Sequence, residues 1–467
     1  MATQYGSNVN DTLLGSVEGD EIYGWAQGNA AGDEGPASDN DHLVGDLGND
    51  TIRGGNGVDY LWGGAGEDLL YGGAGDDFDN AGDPVEGALS GGEGNDTAYG
   101  GAGRDLLFGD TGNDSLFGDA GDDDALGGEG HDSLFGGAGN DRLWGQEGQD
   151  SLIGGEGNDY FEGGDDSDTV DGGIGQDSVW GGRGADRVIG GAGNDQLVGD
   201  RGAEDTEGGN DTLLGGDGDD SIWGESGADR LDGGAGKDEL AGGIGKDTLL
   251  GGAGDDVVFD DLGDGLDSLN GGAGTDWLVL DRSGMTTGLT VSFAAAGKIG
   301  NADGVRYTGF ERFAVDAGSG NDKITGNVGS DDFDGNAGND TLTGGKGNDE
   351  IEGGLGRDVL SAGAGKDWFI FADTLGGNNI DRVIDFVSKD DTFRLDDGVF
   401  SGVALGKLAA GAFRQGKVAG DANDRIIYDK AAGKLYFDAD GNGAGAAVQF
   451  ATVKVGTAIV ADDFFVF

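Results

Sequence analysis

From Gly91 to Glu207, single apolar residues recur every nine positions in a background of glycine and acidic residues. Leu107, Leu116, Leu134, Leu143 and Val188 mark the interval, and their slot is apolar in twelve of thirteen consecutive nonads. Each occupies the middle of a three-residue stretch flanked by polar or variable positions. Alternate residues of a strand face opposite ways, so each stretch is predicted to be a short strand with one inward side chain. Glycines stand at the first, second and fourth positions, as in Gly136, Gly137 and Gly139. They permit φ > 0, so the chain can reverse every nine residues and keep its carbonyls clear of side chains. Two turns and two strands close one coil of eighteen residues. The pattern predicts an all-β chain of stacked coils.

The full phrase is G-G-x-G-x-D-x-U-x, with U apolar, and its sixth position is aspartate in twelve of those thirteen nonads. Residues eighteen apart stack, so Asp96 is predicted to lie under Asp114, Asp132, Asp150, Asp168 and Asp186. The other edge carries Asp105, Asp123, Asp141, Asp159, Asp177 and Asp195 in the same spacing. Neighbouring strands lie ~4.8 Å apart. Two carboxylates at that distance repel by about 0.8 kcal/mol in water and roughly 3 kcal/mol at an effective dielectric near 20. Repeated along both edges, this opposes coiling unless a cation sits between the turns. Calcium suits the position, being a hard cation that takes six to eight oxygens, here carboxylates and the carbonyls exposed by glycine turns. The same position is filled by Asp50, Asp59 and Asp68 ahead of the unbroken array. Asp211, Asp220, Asp229, Asp238, Asp247, Asp256, Asp267 and Asp276 follow it, and Asp322, Asp331, Asp340, Asp349, Asp358 and Asp367 form a second array. All of these are candidate metal ligands.

Interruptions of the period divide the chain. Residues 1–44 hold degenerate opening repeats around Asp11, Asp20 and Asp41, and 45–276 form the main array. Within it, Asp79 stands in an apolar slot, 82–87 reads as an insertion, and Glu204 and Thr206 replace the Asp and apolar positions. The period lapses in a β insert at 277–316, where Trp277 to Leu280, Leu289 to Phe293 and Phe310 to Val315 read as conventional strands. Residues 317–371 are a second array. Residues 372–467 have less glycine and more continuous strands, with a predicted hairpin joining Arg425–Tyr428 to Leu435–Asp438. Asp438 to Gly443 matches the opening of an EF-hand loop, but Gln449 at its twelfth position points to a polar turn.

Composition adds a condition. With 91 acidic against 27 basic residues, a net charge of -64 and 108 glycines, the chain would ordinarily be disordered, so its order is expected to depend on metal. The charge excludes nucleic acid as a natural partner, since phosphate backbones need Lys and Arg, and it disfavours an anionic membrane surface. No stretch approaches transmembrane length, which argues against membrane insertion. Cysteine is absent. The two histidines, His42 and His131, occupy variable repeat positions and read as solvent-facing. Neither H-E-x-x-H nor G-x-S-x-G occurs, so no catalytic residue is assigned.

On these nonads the chain resembles the RTX, or haemolysin-type calcium-binding repeat, proteins secreted by Gram-negative bacteria. The resemblance covers most of residues 6–370. It implies a right-handed parallel β-roll in two segments with a β-rich C-terminal domain, and calcium held between successive turns by Asp carboxylates and turn carbonyls. It also implies export through a type I secretion apparatus, directed by an uncleaved C-terminal signal that the ending Asp463-Phe464-Phe465-Val466-Phe467 is similar to. The expected protein is secreted, extracellular or attached to the cell surface. It folds on many Ca²⁺ ions and has a structural or interaction role. The competing class is a calcium-dependent enzyme with a site in 277–316 or 372–467. The ninth repeat position is often aromatic, as at Trp62, Tyr71, Tyr99, Phe108, Phe117, Phe135, Trp144, Trp180 and Trp223. Two readings stand for these rings: shelter for the sheet backbone, or a ladder for glycans, surfaces or self-association.

Overall fold

The structure is a computed structural model and describes residues 2–6, 12–16, 18–26, 40–77, 87–200, 208–263, 265–294 and 298–467. Among them there is no α-helix, only 3-10 turns at Ala410–Ala412 and Ala461–Asp463. No helix is long and apolar enough to cross a membrane. The chain divides into two compact units, Met1–Ala253 and Gly254–Phe467.

In the first unit, successive strands alternate between two parallel ladders. Ser115–Ala120 pairs in parallel with Thr97–Ala102 on one side and Ser133–Ala138 on the other, placing Leu116 opposite Ala98 and Leu134. The intervening strand, Leu106–Thr111, pairs instead with Ala88–Glu93 and Asp124–Glu129. One coil is therefore eighteen residues, as the spacing predicts. The ladders continue across the segments 78–86 and 201–207, so Tyr60 lies opposite Ala88 and Arg187 opposite Thr212. The replaced positions Asp79, Glu204 and Thr206, and Asp11, lie outside the described residues.

Each nonad buries its one apolar residue, so Leu107, Leu116, Leu134, Leu143, Phe161 and Val188 form the core in single file on each ladder. Two such side chains per eighteen residues are little against the entropy of ordering a glycine-rich chain. Turns stack as closely as the strands do. Gly112 adopts φ +137°, and a Cβ there would overlap the carbonyl oxygen of Gly94 one coil below.

In the second unit the residues that break the period still enter parallel ladders. Trp277–Asp281 pairs with Val257–Asp261 and Arg312–Asp316, and the ladder runs on through Asp332–Asp334, Glu350–Glu352, Trp368–Phe371, Thr392–Leu395 and Phe464–Val466. Its companion runs from Thr290–Ser292 through Lys323–Thr325, Thr341–Lys346, Val359–Ala364 and Asp381–Val383 to Val448–Val453. The connections lengthen, but Leu278, Phe313, Phe333, Phe369, Phe393 and Phe464 keep a buried apolar side chain on each of these rungs, and Leu280, Val315, Phe371, Leu395 and Val466 add a second. The predicted hairpin forms as Ile426–Asp429 against Lys434–Phe437, antiparallel.

Candidate calcium centres

Every aspartate named above as a candidate ligand is buried, with no more than 5% of its surface exposed. Burial follows from the coil: the aspartate precedes the strand, beneath a turn whose first glycine has no side chain to occupy the space. A Cβ added at Gly172 would lie 2.5 Å from Asp177 Oδ2 and 2.5 Å from the carbonyl oxygen of Gly190 in the next coil. Glycine at this position is what admits the carboxylate.

The carboxylates form hydrogen-bonded columns. The backbone N–H of Asp96 donates to Asp114 Oδ1 at 2.7 Å, and Asp114, Asp132, Asp150 and Asp168 each donate to the next in turn at 2.8 Å. The other edge repeats this from Asp105 through Asp123, Asp141, Asp159 and Asp177 to Asp195. In the second unit, Asp322 donates to Asp340 and Asp340 to Asp358, while Asp331 donates to Asp349 and Asp349 to Asp367. One oxygen of each carboxylate is thus satisfied by the neighbouring coil.

The other oxygen is not. Oδ2 of Asp96, Asp114, Asp132, Asp141, Asp159, Asp177, Asp340 and Asp349, among others, is buried without a hydrogen-bond partner. A buried, unpartnered carboxylate oxygen is costly. Burial accordingly pushes the acids up, Asp114 to about 7 and Asp123 and Asp168 to about 8, with backbone N–H donors opposing the shift and stacked aspartates adding to it. These oxygens recur at successive coil edges from Asp96 to Asp195 and again at Asp340, Asp349, Asp358 and Asp367, near carbonyls such as that of Gly190. Such a donor set is all oxygen and strongly anionic, the chemistry a hard divalent cation requires.

The columns extend beyond the sequence-based set. Asp41 donates to Asp59 and Asp59 to Asp77, and Asp20 donates to Asp50. At the far end Asp358 donates to Asp381 Oδ1 and Asp367 to Asp391 Oδ1. Asp381 keeps the paired glycines Gly376-Gly377 of the nonad but not the fourth-position glycine, whereas Asp391 has no glycine lead-in and is marked in sequence only by its aspartate-x-apolar ending, Asp391-Thr392-Phe393. Asp276, in contrast, donates to Glu311 Oε2, a glutamate outside any nonad.

The other singled-out residues have local roles. His131 is exposed, and its Nδ1 accepts the N–H of Gln149 in a surface ladder parallel to the aspartates. His42 stacks on Tyr60. Asp440, in the EF-hand-like stretch, accepts the N–H of Gly445 and forms a turn. Tyr71, Tyr99, Phe117 and Phe135 stack at 4.7–5.2 Å between centroids, with Arg53 over Tyr71.

The model of the RTX calcium-binding nonapeptide repeat, built on four copies, matches residues 37–70, 44–79, 90–125, 117–152, 126–161, 144–179, 171–203, 205–240, 232–259, 261–282, 315–342 and 334–369. Together these span more than half of the chain. The chain belongs to the RTX calcium-binding nonapeptide repeat family. RTX repeats bind Ca²⁺, and the stacked carboxylates here fit multiple ions. No curated protein matches the chain. Among solved structures it is similar to the extracellular lipase LipA from Serratia marcescens, at 17% identity over 56% of this chain and 40% of that one, with a TM-score of 0.17. The RTX chain therefore matches less than half of the lipase's length.

Proposed function

We propose that this RTX protein works outside the cell, as a calcium-folded scaffold with a structural or interaction role at the cell surface or in the extracellular matrix. The aspartates of the two columns are its calcium ligands. The observation that carries this reading is the buried Oδ2 without a partner that repeats at successive coil edges from Asp96 to Asp195. When bound, calcium supplies the positive charge these columns lack. The chain's own residues do the rest: glycine turns bring carbonyls inward, and the aspartate N–H groups hold each carboxylate by Oδ1, leaving Oδ2 toward the ion. The same reading includes export by a type I apparatus. A channel that passes unfolded polypeptide needs a passenger that stays open where free calcium is low and closes where it is high. Sites of the extracellular class, with dissociation constants of roughly 10⁻⁴ to 10⁻³ M, meet that requirement.

The test is far-UV circular dichroism and solution scattering of the full chain in chelator and then in millimolar calcium. Residues 91–198 should gain β-structure and compact on addition of calcium, and stability should rise with its concentration. A compact β-signal kept in chelator would refute the reading. Imaging the calcium-loaded protein for sheets, filaments or monomers then separates a self-assembling layer from a dispersed binder.

A further inference from the structure

The coil that opens the second unit departs from the nonad at one position, and a cation of the chain itself stands there. In regular nonads the residue after the strand is a glycine that faces its own coil's aspartate. After Val257-Val258-Phe259 that residue is Asp260, and after Trp277-Leu278-Val279 it is Leu280. Both are buried, so side chains fill the space that glycine elsewhere leaves to carboxylate and carbonyl oxygens. Asp260 thereby places a carboxylate in the space that a glycine leaves open elsewhere.

Arg282 answers that charge. It is 3% exposed, as is Asp260. Its Nη2 donates to Asp260 Oδ1, and its Nη1 donates to the backbone carbonyls of Asp260 at 2.8 Å and Asp281 at 3.0 Å. Nε lies 3.6 Å from an oxygen of Asp303. Its own N–H donates to the carbonyl of Asp316 in the next coil at 2.7 Å. A guanidinium touching one carboxylate and two carbonyls does for this coil what a cation does for the others. Arginine keeps its charge when buried and is weakly hydrated, which suits it to the place.

Packing points the same way. Regular coils bury two apolar side chains each, but here Phe293, Tyr307, Phe310, Phe313 and Phe333 form one buried cluster. Phe293 stacks on Phe313 at 3.9 Å between centroids, and Tyr307 meets Phe313 edge-on at 5.5 Å. The part of the second unit that follows this coil has a larger apolar core than the regular coils of residues 91–198.

We propose that Arg282 occupies the cationic position beside Asp260 in place of calcium, so that the three strands it ties together, Val257–Asp261, Trp277–Asp281 and Arg312–Asp316, hold without metal. This rests on the calcium reading of the regular coils, whose own failure would show separately, as protection of residues 91–198 in chelator. The experiment is peptide-resolved amide hydrogen exchange on the full chain, in chelator and in millimolar calcium. In chelator, peptides covering 257–261, 277–281 and 312–316 should exchange at least about ten-fold more slowly than the unfolded chain, while peptides of 91–198 exchange freely. Free exchange of those three strands in chelator would overturn the proposal. Arg282→Met should abolish that protection in chelator and let calcium restore it, whereas protection unchanged in the Met variant would assign it to the aromatic cluster alone and overturn the role of Arg282. Should the Met variant stay unfolded even in calcium, Arg282→Lys decides. Protection kept in chelator supports a resident positive charge, and protection lost refutes it.

Discussion

The backbone N–H of Asp123 donates to Oδ1 of Asp141 at 2.8 Å, one coil away, while Oδ2 of Asp141 is buried with no partner. One carboxylate thus does two separable things: it staples adjacent coils through one oxygen and offers the other to a cation.

Two substitutions at that residue should separate them. Asp141→Asn keeps an oxygen for the Asp123 N–H but removes the buried charge. It should weaken calcium binding and lower its cooperativity while leaving the calcium-free chain no less stable. Asp141→Ala loses the staple as well, at a further cost of about 1–3 kcal/mol for the orphaned N–H. Calcium titrations and chemical denaturation of both variants measure this. Equal behaviour of the two in both assays would mean that Oδ1 and Oδ2 are not distinct in role.

Glycine at the first repeat position gives a steric prediction. Gly172→Ala places a methyl 2.5 Å from Asp177 Oδ2 and Gly190 O, so it should cost about 1–3 kcal/mol at saturating calcium and weaken calcium binding. Gly411→Ala, where nothing lies within 4 Å of the added carbon, should stay within about 0.5 kcal/mol. Thermal unfolding at fixed calcium compares them, and a neutral Gly172→Ala would contradict the close stacking of carboxylate and turn.

Acidity should act oppositely with and without the ion. Burial raises Asp114 to about 7 and Asp123 and Asp168 to about 8, from an unfolded value of 3.8. A raised folded value means the coil binds protons more tightly than the open chain. Its contribution to stability is therefore complete below pH ~4 and is lost as pH rises through about 7 to 8. In calcium-free buffer, lowering the pH from 8 to 5 should increase β-structure. In millimolar calcium the same change should release ions and weaken the roll, because protons and calcium compete for one oxygen. Circular dichroism across this range reads both arms, and β-structure that falls on acidification without calcium would reverse the sign argued here.

The C-terminal ending makes a fourth prediction with two readouts. Deleting Ala461 to Phe467 should trap the protein in the producing cell while leaving calcium binding by residues 91–198 intact. The same seven residues also hold the fold of the second unit. Phe464 and Val466 are buried, the strand pairs with Thr392–Leu395, and Asp463 accepts the Ser388 hydroxyl at 2.9 Å and the Val460 N–H at 2.8 Å. Hydrogen exchange should therefore rise across residues 392–395 in the purified truncation. Normal secretion of that chain would refute the export signal without touching the calcium reading.

The nine-residue rule is local, and what it controls could be read without a structure. Glycine conformations, one inward apolar residue and one aspartate per nonad depend only on neighbours in the chain. Hence the eighteen-residue coil, the stacking of Asp96 under Asp114 and the Tyr99–Phe117–Phe135 column were all legible. Tertiary packing decided matters that no period encodes. A ladder hydrogen bond needs only a donor and an acceptor at the right height, so the columns run on to Asp381, where only Gly376-Gly377 of the glycine pattern is left, and to Asp391, where none is. Connections of any length can return a strand to its rung, which is why Trp277–Asp281 and Phe464–Val466 lie in parallel ladders despite their altered sequence. Arg282 meets Asp260 across twenty-two residues of chain because burial favours pairing of opposite charges, and that relationship exists only once the coil has closed.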